Sequence, residues 1–471
     1  MAHSRTSRDY PRASRDQGVR RSSRDREYTT EKTRRSSRGD RRQSLPQYNH
    51  NGHEVGTIAG KKMHPDGESG RRGFNPIKFL VISGKSSSTL SMMTNLLWPI
   101  VPVAFALHFA RPKWHLAIFI TSYIAMLPAA NLLGFAGQEF SRKLPQKAFA
   151  VVLETTFGSI VEVILFMVLL KKGDGNVPVI QAAILGSILA NVLLCLGFCF
   201  IAGGIKNVAQ EFHEAVSESA NGLLLVASMA LVLPAVFYKY LATNKEYTST
   251  PELINYNTLK ISRGVAIISI VGYLIYLFYQ TVSHDGLLHE IYEADDHKDD
   301  DRHEELVKPK LTLTEVVVAL LISLTCVSFI AIFLVEQIPY VVEHGVSDAF
   351  VGLILVPLVE KLAEHLLAID EAYDNQINMA LAHVMGASIQ TALFNAPLTV
   401  LVGWGIRVNM DYNFAMFDAV ALVLSVLVIG SFLRDGKSNY LEGMLLVMMY
   451  IIIAICAFYF PNPIHHGGGG H

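Results

Sequence analysis

From residue 94 onward the chain is a succession of apolar stretches separated by short polar breaks, and this pattern limits it to one kind of fold. A helix needs about 20 mostly apolar residues to cross a bilayer. Eleven stretches approach that length, at about 94–110, 116–136, 148–170, 178–203, 215–238, 259–281, 312–335, 348–369, 379–403, 414–433 and 440–460. The spacing predicts an all-α polytopic membrane protein with about eleven transmembrane helices.

Composition agrees. The 471 residues are 51% hydrophobic and 17% charged, whereas soluble proteins carry about 25% charged residues. The charges cluster in the first 75 residues and near residue 300, so the net charge of -1 sums a basic tail and an acidic loop. Residues 1–75 are rich in Arg, Ser, Asp and Gly. They hold too little apolar area to offset their ordering entropy and are expected to be disordered. Their excess of arginine beside the first membrane helix places them on the cytosolic side. A solvated tail is favoured over an RNA- or lipid-binding arm, so no nucleic-acid partner is expected. RRSS (34–37) and RRQS (41–44) resemble phosphorylation sites. No short apolar core near the start marks a cleavable secretory signal, which leaves the first membrane helix as the insertion signal. The four cysteines, Cys195, Cys199, Cys326 and Cys456, all lie in apolar runs. The CxxxC spacing of the first two is not the CxxC of zinc and redox motifs, and no disulfide framework is implied.

The longest polar break after residue 94 is 282–311, which contains HEIYEADDHKDDDRHEEL. A solvated cytosolic linker is the favoured reading of such an acidic run, with a cation-attracting or regulatory element as the alternative. The organisation that follows is a basic tail (1–75), an additional first helix (94–110), a five-helix repeat (116–281), the acidic loop (282–311), a second five-helix repeat (312–460) and a short tail (461–471). Five spans per half invert the second half in the membrane, the arrangement of many secondary transporters. Local sequence supports the repeat. FGSIVEVILF (157–166) precedes AAILGSILANVLL (182–194), and PLVEKLAEHLLAI (357–369) precedes AHVMGASIQTALF (382–394). Glu162 lies 24 residues before Gly186, and Glu364 lies 22 before Gly386.

A carboxylate at the bilayer centre costs at least about 2.5–3.5 kcal/mol and marks a pathway or partner. If the two acid helices meet at the repeat interface, Glu162 and Glu364 face each other. Together they suit a hard cation. Without it, their mutual repulsion draws in a proton. A site that takes either the cation or protons is the physical minimum for antiport. Around this pair, Glu360 shares the face of Glu364, and His365 follows as a proton relay or packing residue. Lys361 is read as the ion-pair partner of Glu360, Glu364 or Asp348, or as a stand-in for one bound cation. Ser187, Asn191, Ser388 and Gln390 are supporting ligands or helix glue. Gly158, Gly186 and Gly386 permit close helix approach. Glu154, Glu214, Glu218 and Asp348 are access-path candidates, with helix capping the alternative for Glu214 and Glu218. Asp370, Glu371 and Asp374 are placed at a wet helix end.

These motifs resemble the cation/proton exchanger family of vacuolar Ca²⁺/H⁺ antiporters, within the cation/Ca²⁺ exchanger superfamily. The resemblance spans about 94–460 and is strongest over 363–404, with Ala-Glu-His, Gly-x-Ser-Ile-Gln and Ala-Leu-Phe in order. GSIVE (158–162) and LGSILANVLL (185–194) look like the first signature region. It implies eleven helices, Glu162 and Glu364 as cation- and proton-binding groups, and a vacuolar membrane. The family's Gly-Asn-Ala before each glutamate reads Gly158-Ser159-Ile160 and Glu360-Lys361-Leu362 here, so Ser159 and Lys361 bear on selectivity. That departure is similar to a divergent fungal branch, some of whose members exchange Na⁺ or K⁺ for H⁺. The expectation is a Ca²⁺/H⁺ antiporter, a secondary transporter and not an enzyme. Its partners are inorganic cations, protons and lipid, and no cofactor is called for. The alternatives are a monovalent cation/H⁺ antiporter and a transport-inactive regulatory relative. A channel lacks a filter or pore loop here, and a metalloprotease lacks HExxH.

Overall fold

Helix starts in this chain are written locally. Thr312 and Glu315 form a reciprocal capping box, as do Asn439 and Glu442, each satisfying backbone donors that a helix start leaves free. Thr250 caps a helix whose first residue is Pro251, a position where the missing N–H costs nothing. The computed structural model describes residues 57–58, 61–62, 71–85, 89–144, 147–244, 250–298 and 310–461. Expectations for the rest of the tail, for 299–309 and for 462–471 lie outside the described residues.

The helices run α1 (Pro76–Lys85), α2 (Ser91–Ala110), α3 (His115–Ser141), α4 (Lys147–Lys171), α5 (Asp174–Lys206), α6 (Glu214–Thr243) and α7 (Pro251–Ser283) in the first half. They continue with α8 (Asp285–Lys298), α9 (Leu313–Glu343), α10 (348–373), α11 (Ile377–Ile406), α12 (Met416–Asp435) and α13 (Tyr440–Phe458). Among the described residues, ten of these are long and apolar enough to cross a membrane. The eleventh span is α10, which carries three charged residues at its centre and is split in two. It breaks at Lys361, between Val356–Glu360 and Leu362–Tyr373. The fold is therefore the nearly all-helical bundle of about eleven spans that the sequence predicts.

The two halves match in sequence order, α3 to α7 with α9 to α13. The most extensive packing in the bundle joins α3 to α9, the first helix of each half. The innermost helices are α5 and α11. Each carries one π-helical turn, at Ala190–Cys195 and Thr391–Asn395. Such wide turns recur at functional sites. One large hydrophobic cluster spans both halves and a smaller one packs α1 against α3 and α9, and Cys195 and Cys199 are simply buried in the large one as free thiols.

Two expectations change. Residues 57–58 and 61–62 pair as a short antiparallel ladder inside the stretch expected to be disordered. At the end of that stretch, Arg71 pairs with Glu315, which also accepts from the Asn75 N–H at 3.0 Å. The acidic stretch read as a solvated linker forms α8 over Asp285–Lys298. The reason is amphipathicity: Leu288, Ile291, Tyr292 and Asp295 all turn inward and are buried. Asp295 accepts from the Asn378 N–H at 2.7 Å and its Nδ2 at 2.9 Å, so it closes the start of α11. Asp295→Ala is expected to cost about 1.5–3 kcal/mol, the range for a lost hydrogen bond to a charged group. Thermal unfolding in detergent checks this, and an unchanged melting temperature refutes the cap.

Candidate cation and proton site

At the heart of the bundle four helices meet, α4 and α5 from the first half, α10 and α11 from the second. Glu162 on α4 and Lys361 at the break in α10 are both fully buried. Lys361 Nζ lies 2.7 Å from Glu162 Oε2 and 3.3 Å from Glu364 Oε2. One ammonium thus bridges the two carboxylates that the repeat relates. Asp348, offered as another partner, opens α10 thirteen residues away, roughly 20 Å along a helix. Pro357, which has no N–H to give the ladder, follows the wide turn Val351–Leu355 of α10, and the Lys361 N–H still reaches Pro357 O at 3.0 Å. Lys361 itself sits at φ -94°, ψ -5°.

The wide turn of α11 supports Glu162. Thr391 Oγ1 donates to Glu162 Oε2 at 2.8 Å, and Asn395 Nδ2 donates to the same oxygen at 2.9 Å. The wide turn of α5 answers it from the other repeat, where Asn191 Oδ1 accepts from His365 Nε2 at 3.1 Å. Each half thus braces the acid helix of the other. Ser159 Oγ reaches Glu364 Oε1 at 3.5 Å. Glu360 and Ser187 are buried at the same centre. Two of the three glycines are needed for close approach: a Cβ on Gly158 would fall on the Glu364 carboxyl group, and one on Gly186 on the Leu353 backbone. A Cβ on Gly386 would meet nothing nearer than Thr155 at 3.9 Å.

Beyond Glu364 a small cleft is lined by Glu154, Gly158, Glu364, Asn131 and Gln138 among others. Glu154 accepts from Ser141 Oγ at 3.0 Å and lies 3.9 Å from His383 Nε2. His383 Nδ1 is 2.7 Å from Glu371 Oε2. This second polar cluster joins α4, α10 and α11 on the side of the bundle where α8 lies.

Several sequence expectations separate here. Glu162, Glu364, Glu360, Lys361, His365, Asn191, Ser187, Ser159 and Gly158 converge. Ser388 and Gln390 are buried in α11, but Ser388 Oγ donates to Val384 O of its own helix at 2.8 Å. Glu214 and Glu218 do not reach the site; both are exposed at the start of α6, where acids suit the helix dipole. Asp374 pairs with Lys206 at 3.1 Å near the surface, as a wet end requires, whereas Glu371 turns inward to His383. Thr391, Asn395, His383 and Glu371 were not singled out as site residues from sequence.

Comparison with known proteins adds a separate line. Residues 114–282 and 315–459 match the family model described as sodium/calcium exchanger protein. The chain is 31% identical over 390 residues to the vacuolar calcium ion transporter of Schizosaccharomyces pombe, covering 82% of this chain and 90% of that protein. It is 32% identical over 386 residues to the Ca²⁺/H⁺ antiporter of a Synechocystis species, covering 80% and 99%. The fold matches the crystal structure of the Ca²⁺/H⁺ antiporter protein YfkE with a TM-score of 0.63 at 26% identity, over 79% of this chain and all of that one.

Proposed function

This chain belongs to the sodium/calcium exchanger protein family, and from that premise we propose that it is an antiporter that moves Ca²⁺ into an acidic organelle in exchange for protons. The relatives named as vacuolar transporters, from fission yeast and Arabidopsis thaliana, support a multi-pass protein of the vacuolar membrane. The observation that carries the mechanism is the convergence of Glu162 and Glu364, from opposite repeats, on one positive charge in the core. A place built to hold an ammonium between two carboxylates is a place where a cation is stable and two bare carboxylates are not. When the cation leaves, exchange requires protons to take its place at this centre. Rocking of one repeat against the other then exposes the site to alternate sides.

Charge counting addresses the ion. Glu162, Glu364 and Lys361 together carry one net negative charge, which favours a second reading, exchange of Na⁺ or K⁺. Glu360 adds another carboxylate at the same centre, and the four groups then carry two net negative charges, which matches one divalent ion. Purified protein in liposomes with an acid interior tests this. External Ca²⁺ is expected to collapse the pH gradient and to accumulate inside, with the accumulation abolished by a protonophore. Collapse by Na⁺ or K⁺ alone selects the second reading, and no collapse by any cation refutes antiport.

A further inference from the structure

The buried polar atoms of the centre do not all have partners. Among the described residues, both carboxylate oxygens of Glu360, Ser187 Oγ, Oε1 of Glu162 and Oε2 of Glu364 are buried without a well-formed hydrogen bond, although Glu364 Oε2 still lies 3.3 Å from Lys361 Nζ. Glu360 is only 1% exposed. Such groups are costly to bury unless something positive or a proton satisfies them. Their positions are linked. The Glu360 carboxylate interacts electrostatically with Glu162, Lys361 and Glu364, and the Ser187 hydroxyl lies close enough to it for a weak hydrogen bond, short of good geometry. Glu162 presents its two oxygens differently. Oε2 takes Lys361, Thr391 and Asn395, while Oε1 takes none of them.

We propose that the transported cation binds beside Lys361 and not in its place, held by both oxygens of Glu360, Oε1 of Glu162 and Ser187 Oγ. Lys361 remains between Glu162 and Glu364 as a covalently tethered second cation. This rests on the antiport reading and locates the ion within the same centre. Four protein oxygens, two of them from one carboxylate, are a hard-cation donor set that water completes. The arrangement accounts for Glu360 and Lys361 being adjacent in sequence. The lysine brings a permanent positive charge to the carboxylate pair, and the glutamate beside it supplies the negative charge that the free ion still needs. The two-fold symmetry of the central acids is thereby broken. The ion sits on the Glu162 side, while Glu364 is left facing the cleft that leads to Glu154 and His383.

Cation binding to the purified full-length protein, measured by isothermal titration with Ca²⁺ alone and with Na⁺ alone, tests this without requiring transport. Wild type is expected to bind one equivalent. Glu360→Gln is expected to bind more than about 100-fold more weakly, since loss of a group that merely supports a ligand already costs about 10–100-fold. Lys361→Gln is expected to gain a second equivalent, because the midpoint between Glu162 and Glu364 is then free. Ser187→Ala, a small change, serves if Glu360→Gln fails to fold, and is expected to weaken binding about tenfold. Unchanged affinity in both Glu360→Gln and Ser187→Ala overturns the proposal. So does a Lys361→Gln protein that still binds one equivalent and no longer depends on Glu360, because the ion then takes the ammonium's place. If wild type binds as described yet no cation collapses a pH gradient, antiport fails and the site stands. If exchange is intact in Glu360→Gln with unchanged binding, the site fails and antiport stands.

Discussion

Lys361→Met is expected to destabilise the protein by about 3–5 kcal/mol, the cost of removing one partner from a buried ion pair. Lys361 is fully buried and so is Glu162. Removing the ammonium leaves Glu162, Glu360 and Glu364 close together with no fixed positive charge among them. The desolvation already spent on these acids is then no longer offset by attraction. The loss is expected to shrink as cation is added, because a ligand that binds only the folded state stabilises it by mass action. Thermal unfolding in detergent, with and without Ca²⁺, reads both effects. A variant as stable as wild type in cation-free buffer shows that the acids do not depend on the lysine.

Gly158→Ala is expected to reduce exchange by about 100-fold or more while leaving the protein folded, because a misplacement of about 1 Å at a reacting centre has effects of that size. The added methyl group would fall on the Glu364 carboxyl group, the end of a flexible side chain that faces a cleft. Glu364 swings aside, and in doing so it leaves Lys361 and Ser159. Two other glycines serve as controls. Gly386→Ala has room, with its nearest neighbour at 3.9 Å, and is expected to transport within about twofold of wild type. Gly186→Ala meets the Leu353 backbone, which cannot swing away. Its expected defect is in folding, since overpacking a close-packed core costs about 1–3 kcal/mol or more. Transport assays beside unfolding curves separate the three. Gly158→Ala with normal exchange contradicts the placement of Glu364.

The membrane spans were legible because hydropathy over 20 residues is a property of composition, and α10 was legible despite its break because its flanks are apolar. Glu162 and Glu364 stood out for the converse reason, as charges where charge is expensive. What sequence missed follows from geometry that spacing does not carry. The wide turn at Thr391–Asn395 adds a residue to one turn of α11. Ser388 and Gln390 drew attention as the polar residues beside the Gly-Ala-Ser step, whereas Thr391 and Asn395, in the wide turn just after it, are the ones that donate to Glu162. His383 and Glu371 come together only because α10 and α11 fold back on each other. In the acidic stretch, the density of Asp and Glu obscured the periodic Leu288, Ile291, Tyr292 and Asp295 that make α8 a packed helix. Glu214 and Glu218 had the right residue type, but they sit at an exposed helix start.

The most direct test of the central claim is cation-driven proton release from acid-loaded liposomes carrying wild type, Glu162→Gln or Glu364→Gln, each shown to be folded by its unfolding curve. Wild type is expected to discharge the gradient on addition of Ca²⁺, and both variants to hold it. Discharge by either glutamine variant at the wild-type rate would contradict the claim that exchange runs through these two carboxylates.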